Sequence, residues 1–442
     1  MASFFPHNTL TKLSEQFDVI IIGAGPAGYP AAAEALSQGL KVAVIEKREA
    51  GGTCLNRGCI PTKCLVHSAE TLLTARNAAA DGVVVEGTPA IDFPAVRRRM
   101  DGVVSTLRQG VEGILKGAEV LHGEAKLVGT SPLTVEVDSR ILTAPKVIIA
   151  TGAEPARLPV PGAESAITSD ELLKLEHLPQ SVAIIGAGVI GMEFASALAA
   201  MGVKVSVVEY CPEILPPVDA EVAKRLRMLL KRRGIDFHVG AKVTAVEPGA
   251  VVFEAKGKEG RVEAETIVMA VGRRPVIPTG VAEAGVNIER GRIAVDPETL
   301  QTNIPGLYAA GDVNGICQLA HAATAQAMRI MGKEQRLTPV PSVVFTIPEV
   351  AMVGVLEKDA PEGAQVVKNT FRSNGKALTM GETDGMVKMV TDTDGRLLGG
   401  TIMGSHAADL IQELTVAVAE GMTLDALRTI IHPHPTLSEV LL

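Results

Sequence analysis

One pattern occurs twice in this chain. FDVIIIGAGPAGYPAA begins at Phe17, and SVAIIGAGVIGMEFAS begins at Ser181. Each copy is a Val- and Ile-rich run, then G-x-G-x-x-G, then an Ala-rich stretch of helical character. Each continues into a second β-like run that ends in an acid: KVAVIE at Glu46 and KVSVVE at Glu209. The acid lies 18 residues beyond the third glycine in both copies. A lone G-x-G-x-x-G is weak evidence, since single glycines serve ordinary turns. Two complete strand–turn–helix–strand–acid units constrain the chain far more.

Each unit reads as a Rossmann-type nucleotide site, and each residue type has a physical reason. Gly23 and Gly186 permit the tight turn. Gly25 and Gly188 let the backbone approach a pyrophosphate. Gly28 and Gly191 let the helix pack closely on its strand. The helix start then presents N–H groups and a positive dipole end to the phosphates. Pro26 and Ala27 in the first copy, and Val189 and Ile190 in the second, belong to that contact set. Glu46, followed by Lys47, and Glu209 can accept hydrogen bonds from ribose hydroxyls. Glu209 also selects: a carboxylate repels the 2′-phosphate of NADP, and no Arg replaces it, so the second site favours NAD.

Breaks in the pattern suggest boundaries. VIIATGAEP (Val147–Pro155) closes the first unit around Thr151 and Gly152, and MAVGRRP (Met269–Pro275) closes the second around Gly272. GLYAAGDV (Gly306–Val313) reads as a buried strand ending at a Gly-Asp turn, Gly311–Asp312. A Pro-marked stretch, LTPVPSVVFTIPEVAMVG, opens a mixed tail with strand-like MVKMVTD and helix-like HAADLIQELTVAVAEG. The expected fold is α/β, with two Rossmann-like dinucleotide-binding domains (1–152 and 153–272), a central segment (273–338) and a C-terminal α/β domain (339–442). The 442-residue length supports several cores, and a net charge of −8 argues against nucleic acid as the main partner. No apolar run reaches bilayer length. The start, MASFFPHNTLTKLSEQ, does not read as a secretory signal, so a cytoplasmic location is expected.

Three of the five cysteines fall in GGTCLNRGCIPTKC, residues 51–64, at equal spacing: Cys54, Cys59 and Cys64. Structural zinc needs four ligands, usually as two close pairs, and no second cluster exists here; no metal is expected. A redox disulfide is the better reading. Leu55–Gly58 contains Asn and Gly and is expected to form an irregular loop, with Pro61 in the first turn of a following helix. Residues five apart on a helix have Cα atoms ~8.7 Å apart. Bridging needs less than roughly 7 Å. Cys59–Cys64 is therefore disfavoured, whereas Cys54–Cys59 spans the loop and can close. A helix N-terminus there would lower the thiolate pKa. Cys64 is expected to be a small buried thiol on the helix.

Through GGTCLNRGCIPTK the chain resembles the flavoprotein disulfide reductases of the glutathione reductase class, and within it most resembles the dihydrolipoamide dehydrogenases. The resemblance runs from about Phe17 to the C-terminus. It includes both fingerprints, ATG at Ala150–Gly152, VGRRP, YAAGDV, LAHAA at Leu319–Ala323, VVFTIPEVAMVG and HPHPTLSE. It implies FAD on the first fingerprint, with Gly52 and Thr53 beside it, and NAD on the second. It implies that Cys54 is the interchange thiol and Cys59 the thiol against the flavin. Lys63 would sit by the flavin N5 and pair with Glu193. Asp312, after Gly311, would hold the ribitol, and Leu319, Ala320 and His321 would start a helix aimed at the pyrimidine end.

In the tail motif IHPHPTLSE, His434 would be the general base and Glu439 its orienter, supplied by the partner subunit of a homodimer. His432 would be structural. The implied reaction is oxidation of dihydrolipoyl groups, carried on lipoyl domains of 2-oxo acid dehydrogenase or glycine-cleavage complexes, with reduction of NAD+. Glutathione and mercuric reductases are alternatives, but they normally prefer NADPH, and no cysteine follows Cys317. A non-catalytic flavin scaffold is a further alternative, against which the set Cys54, Cys59, His434 and Glu439 argues. The chain departs from the family pattern at Ala27, Cys64 and Pro433.

Overall fold

A computed structural model describes residues 14–442. The reading of the extreme N-terminus falls mostly outside the described residues. The chain forms two compact units. One contains the residues up to Asn56, Thr106–Glu154 and Arg274–Leu337; the other contains Arg57–Ser105, Pro155–Arg273 and Thr338–Leu442.

In the first unit the run Val19–Ile22 is buried at every position. A strand with no polar alternation must be covered on both faces, the setting of a parallel sheet. Val19–Ile22 accordingly pairs in parallel with Val42–Glu46 on one side and Lys146–Ile149 on the other. Leu307–Ala309 and Glu119–His122 complete the five-stranded sheet. The Ala-rich stretch forms helix Gly28–Ser37, and its small residues let it pack beside helix Ala320–Ile330. The Thr324 hydroxyl fixes that pair by donating to the Pro26 carbonyl at 2.8 Å.

The second unit repeats the plan. Ser181–Ile185 lies between Lys204–Glu209 and Thr266–Met269, all parallel, with Asp236–Val239 at the edge. The tail forms a five-stranded antiparallel sheet in the order Ser342–Val344, Glu349–Gly354, Leu397–Gly404, Met386–Thr391, Gln365–Thr370. The strand-like MVKMVT and the helix-like Ala407–Ala419 stretch take the conformations expected of them. Among the described residues no helix is long and apolar enough to cross a membrane.

The segment around the cysteines differs from expectation. Leu55–Arg57 are helical, within Gly52–Arg57, and only Gly58 breaks the chain before helix Cys59–Asn77. Gly51 and Gly52 have φ of +95° and +62°, turning the chain into the short helix. The Asn56 amide then donates to the Ala50 and Gly52 carbonyls at 2.9 and 3.0 Å. Side-chain tethering of this kind holds a turn whose intrinsic propensity is low. Pro61 does fall in the first turn of the longer helix.

Candidate active site

The two glycine turns are built alike. Gly23 and Gly186 have φ of +107° and +102°, and a Cβ on either would lie 2.3 or 2.5 Å from a carbonyl of the neighbouring strand's end, Ala150 or Ala270. A Cβ on Gly28 or Gly191 would lie 1.8 or 2.1 Å from the carbonyl of the first glycine. These positions are closed by the protein itself. Gly188 is different: a Cβ there would meet no atom within 4 Å, so its bareness leaves room for a group outside the chain. Among the described residues, no side chain caps helix Gly28–Ser37 or helix Val189–Ala200. Their first-turn N–H groups are the donors a pyrophosphate uses.

The acids do more than sequence reasoning assigned them. Glu46 accepts from the Ala24 and Arg48 N–H groups, both at 2.8 Å. Glu209 accepts from Ala187 N–H at 2.5 Å and Cys211 N–H at 2.7 Å. Each carboxylate thus clamps the middle residue of its own glycine turn and is fixed in place at the strand end. Lys47 pairs with Glu124 at 3.5 Å on the surface.

The long helix carries the next group. Lys63 Nζ donates to both Glu193 carboxylate oxygens, at 3.0 and 2.9 Å, and lies 4.3 Å from the centre of the Phe345 ring. Glu193 is only 4% exposed and also accepts from Phe345 N–H at 3.0 Å. Sequence reasoning placed Lys63 with Glu193 but missed Phe345, although it lies in the quoted stretch VVFTIPEVAMVG. Burying a carboxylate demands such partners.

Cys54 is half-buried in the short helix, and Cys59, also half-buried, is the first residue of the long one. Cys64 is buried on that same helix, five positions beyond Cys59. Helix geometry therefore separates Cys59 and Cys64 beyond bridging reach. Burial pushes the Cys64 thiol pKa up, with Arg99 opposing, so the thiol stays protonated and unreactive. A Cys64→Ala variant is expected to keep full turnover and the same rate of inactivation by hydrogen peroxide; faster or slower inactivation would assign Cys64 a redox role. Tyr29, on the fingerprint helix, has its pKa raised by burial and then by the Cys54 charge.

On the far side of the first turn, Thr151 Oγ1 donates to the Val276 carbonyl at 2.5 Å, and Val276 N–H returns a bond to Gly152 at 2.9 Å. Asp312 lies within the turn Gly311–Asn314, whose N-cap is Ala310, so it does not cap a helix. The turn is held by buried groups that sequence reasoning missed. Gln326 Oε1 accepts from Gly311 N–H at 2.7 Å and from the Asn314 amide at 2.9 Å. Leu319 caps helix Ala320–Ile330, so Ala320 and His321 form its first turn.

The tail histidines separate cleanly. His432 bonds the Glu413 carboxylate at 2.6 Å and the Ile430 carbonyl at 2.8 Å, both ring nitrogens used. Burial alone would lower its pKa, but those two acceptors raise it overall. His434 uses one nitrogen, Nδ1, on Glu439 at 2.9 Å, and its side chain is 79% exposed. Glu439 also accepts from Thr436 N–H at 2.8 Å. That backbone bond, then His434, holds its carboxyl below the usual carboxylate range.

Duplicated dinucleotide turns and a cysteine-headed helix in one chain mark an oxidoreductase class in which thiols exchange electrons with nucleotide cofactors. Residues 17–327 match the family described as pyridine nucleotide-disulphide oxidoreductase, and residues 340–442 match its dimerisation domain. The chain belongs to this family, whose enzymes use FAD and NAD(H). A dihydrolipoyl dehydrogenase of Chlamydia muridarum is 40% identical over 454 residues, covering 97% of this chain and 96% of the relative. One of Bacillus subtilis is 39% identical over 463 residues, covering 97% of each. Among solved structures, the HOCl-induced flavoprotein disulfide reductase RclA of Escherichia coli superposes with a TM-score of 0.85 at 29% identity, covering 97% of this chain and 98% of that one.

Proposed function

We propose that this chain is a dihydrolipoyl dehydrogenase, oxidising dihydrolipoyl groups and reducing NAD+, with lipoyl domains of 2-oxo acid dehydrogenase or glycine-cleavage complexes as its substrate carriers. The observation that carries the reading is the buried Glu209, fixed by Ala187 and Cys211 N–H groups at the end of its strand. A carboxylate immobilised there accepts from ribose hydroxyls and repels a 2′-phosphate, which separates this chain from NADPH-linked disulfide reductases. Relatives of that name covering nearly the whole chain support it.

The division of labour follows the segments 1–152 for FAD, 153–272 for NAD, 273–338 completing the FAD site and 339–442 as the dimer interface. The cytoplasm is the setting we assign, since dithiols persist there. His434 takes a proton from a dihydrolipoyl thiol. The resulting thiolate attacks Cys54 Sγ, the Cys54–Cys59 bond breaks, and Cys59 leaves as a thiolate. The second substrate thiol displaces Cys54 and passes its proton to the departing Cys54 sulfur, which gives the lipoyl disulfide and a reduced cysteine pair. FAD held at the first glycine turn would supply the acceptor for that electron pair, and NAD+ held at the second would supply its exit as hydride. Lys63, pinned by Glu193, holds a positive charge at a fixed place on the cysteine-headed helix.

His434 and Ile431 at 95% exposure lie on an open face of the tail, which a second copy would cover, so the proposed active unit is a homodimer. Purified protein with dihydrolipoamide is expected to form NADH faster than NADPH by more than about tenfold. It is expected to sediment as a dimer. Equal use of NADP+, or NADPH-dependent reduction of glutathione disulfide in place of lipoamide chemistry, would overturn the reading.

A further inference from the structure

One buried charge is not used by the chemistry above. Lys388 lies on Met386–Thr391, the strand of the C-terminal sheet between Leu397–Gly404 and Gln365–Thr370, and is 2% exposed. Its ammonium donates to both Asp219 oxygens at 2.9 and 2.8 Å, makes a short contact to Glu357, and lies 3.2 Å from Glu221. Asp219 is the N-cap of helix Ala220–Arg232, accepting from Glu221 and Val222 N–H groups. Asp219 also ends the loop that leaves Glu209.

That loop is stitched at its other end to the nucleotide turn. Cys211 N–H bonds Glu209, and Leu215 N–H bonds the Ala187 carbonyl at 2.8 Å. Leu215 is fully buried with φ of +49°, a conformation that a branched residue holds only when its surroundings impose it. Ala187 is therefore held twice, by Glu209 through its N–H and by Leu215 through its carbonyl. The Lys388–Asp219 contact anchors the free end of this loop to the C-terminal sheet.

We propose that Lys388 is a positioning residue for the NAD site: from the C-terminal sheet it tethers Asp219, and through the loop 211–218 it holds Glu209 and Ala187 in the geometry that receives the adenosine ribose. The proposal rests on reading the second fingerprint as the NAD site. Three acids around one ammonium also explain why the lysine is tolerated in a buried strand. Burial pulls its pKa down, but Asp219 and Glu357 outweigh that, so it stays charged.

The test uses ADP-ribose, which carries the adenosine half of NAD and cannot accept hydride, as a competitive inhibitor against NAD+. In Lys388→Met its inhibition constant is expected to rise about tenfold, the size of coupling that side chains remote from a ligand can carry. The KM for dihydrolipoamide should stay within about twofold, because the thiol site does not share the loop. An unchanged inhibition constant, or parallel loss at both substrates with falling Tm, would overturn the proposal. If Lys388→Met does not fold, Asp219→Asn keeps the helix cap while removing the charge; it should weaken ADP-ribose in the same selective way, and an Asp219→Asn enzyme with wild-type ADP-ribose inhibition would overturn the proposal. A wild-type enzyme indifferent to ADP-ribose would instead refute the NAD-site reading itself.

Discussion

Replacing Cys59 with Ser is expected to reduce NAD+-linked turnover by at least about three orders of magnitude, as loss of a nucleophile that acts in concert with others does. Cys59 is the first residue of a 19-residue helix, where the positive end of the dipole favours a thiolate. A serine hydroxyl ionises far outside the working pH range and forms no disulfide. Its volume is nearly that of cysteine, so fold and flavin content should persist. The stronger readout is spectroscopic. If Cys59 is the thiol against the flavin, the two-electron-reduced Cys59→Ser enzyme should lack the long-wavelength charge-transfer absorption, whereas Cys54→Ser, which has no disulfide to reduce, should be equally inactive yet show that absorption while its flavin is still oxidised. The opposite pattern would exchange the roles assigned to the two cysteines, and retention in both variants would remove the thiolate–flavin contact altogether.

What could be read from the sequence was local or periodic. The two fingerprints needed only apolar runs, glycines at fixed offsets and a terminal acid, and both became parallel strands with uncapped helix starts. Lys63 and Glu193 were paired through the family resemblance, since 130 residues separate them and no spacing rule reaches that far. What was missed was set by tertiary contact. The clamp of Glu46 and Glu209 on their own turns depends on strand register, which brings the end of one strand beside the turn after its neighbour. Leu55–Gly58 reads as a loop because Asn and Gly disfavour helices on average; Leu55–Arg57 are helical, with the Asn56 side chain bonding backward to the Ala50 and Gly52 carbonyls. Nothing within MVKMVT itself marks Lys388 as buried. Its strand is buried on both faces, and Asp219, Glu221 and Glu357, remote in sequence, make that possible.

The second large effect concerns His434. With Gln there, kcat for dihydrolipoamide should fall by about 10²- to 10⁴-fold, the usual contribution of a positioned general base. NAD+ affinity should be unmoved. Glu439 orients the ring, and its carboxyl is held below its ordinary 4.5. A depressed folded pKa means that the carboxylate persists through neutral pH and its contribution is lost only as pH falls through the lowered value. An exposed base cannot work in a dry site by itself, which is why we assign its action to the neighbouring copy. Complementation decides this. In a two-fold dimer whose sites combine Cys54 of one chain with His434 of the other, co-expressing Cys54→Ser and His434→Gln chains in equal amounts regenerates one intact site per mixed dimer. About a quarter of wild-type activity should return if the chains pair at random in an isologous dimer. If His434 instead served its own chain, every mixed dimer would carry a defect in both sites, and the co-expressed mixture would be as inactive as either parent.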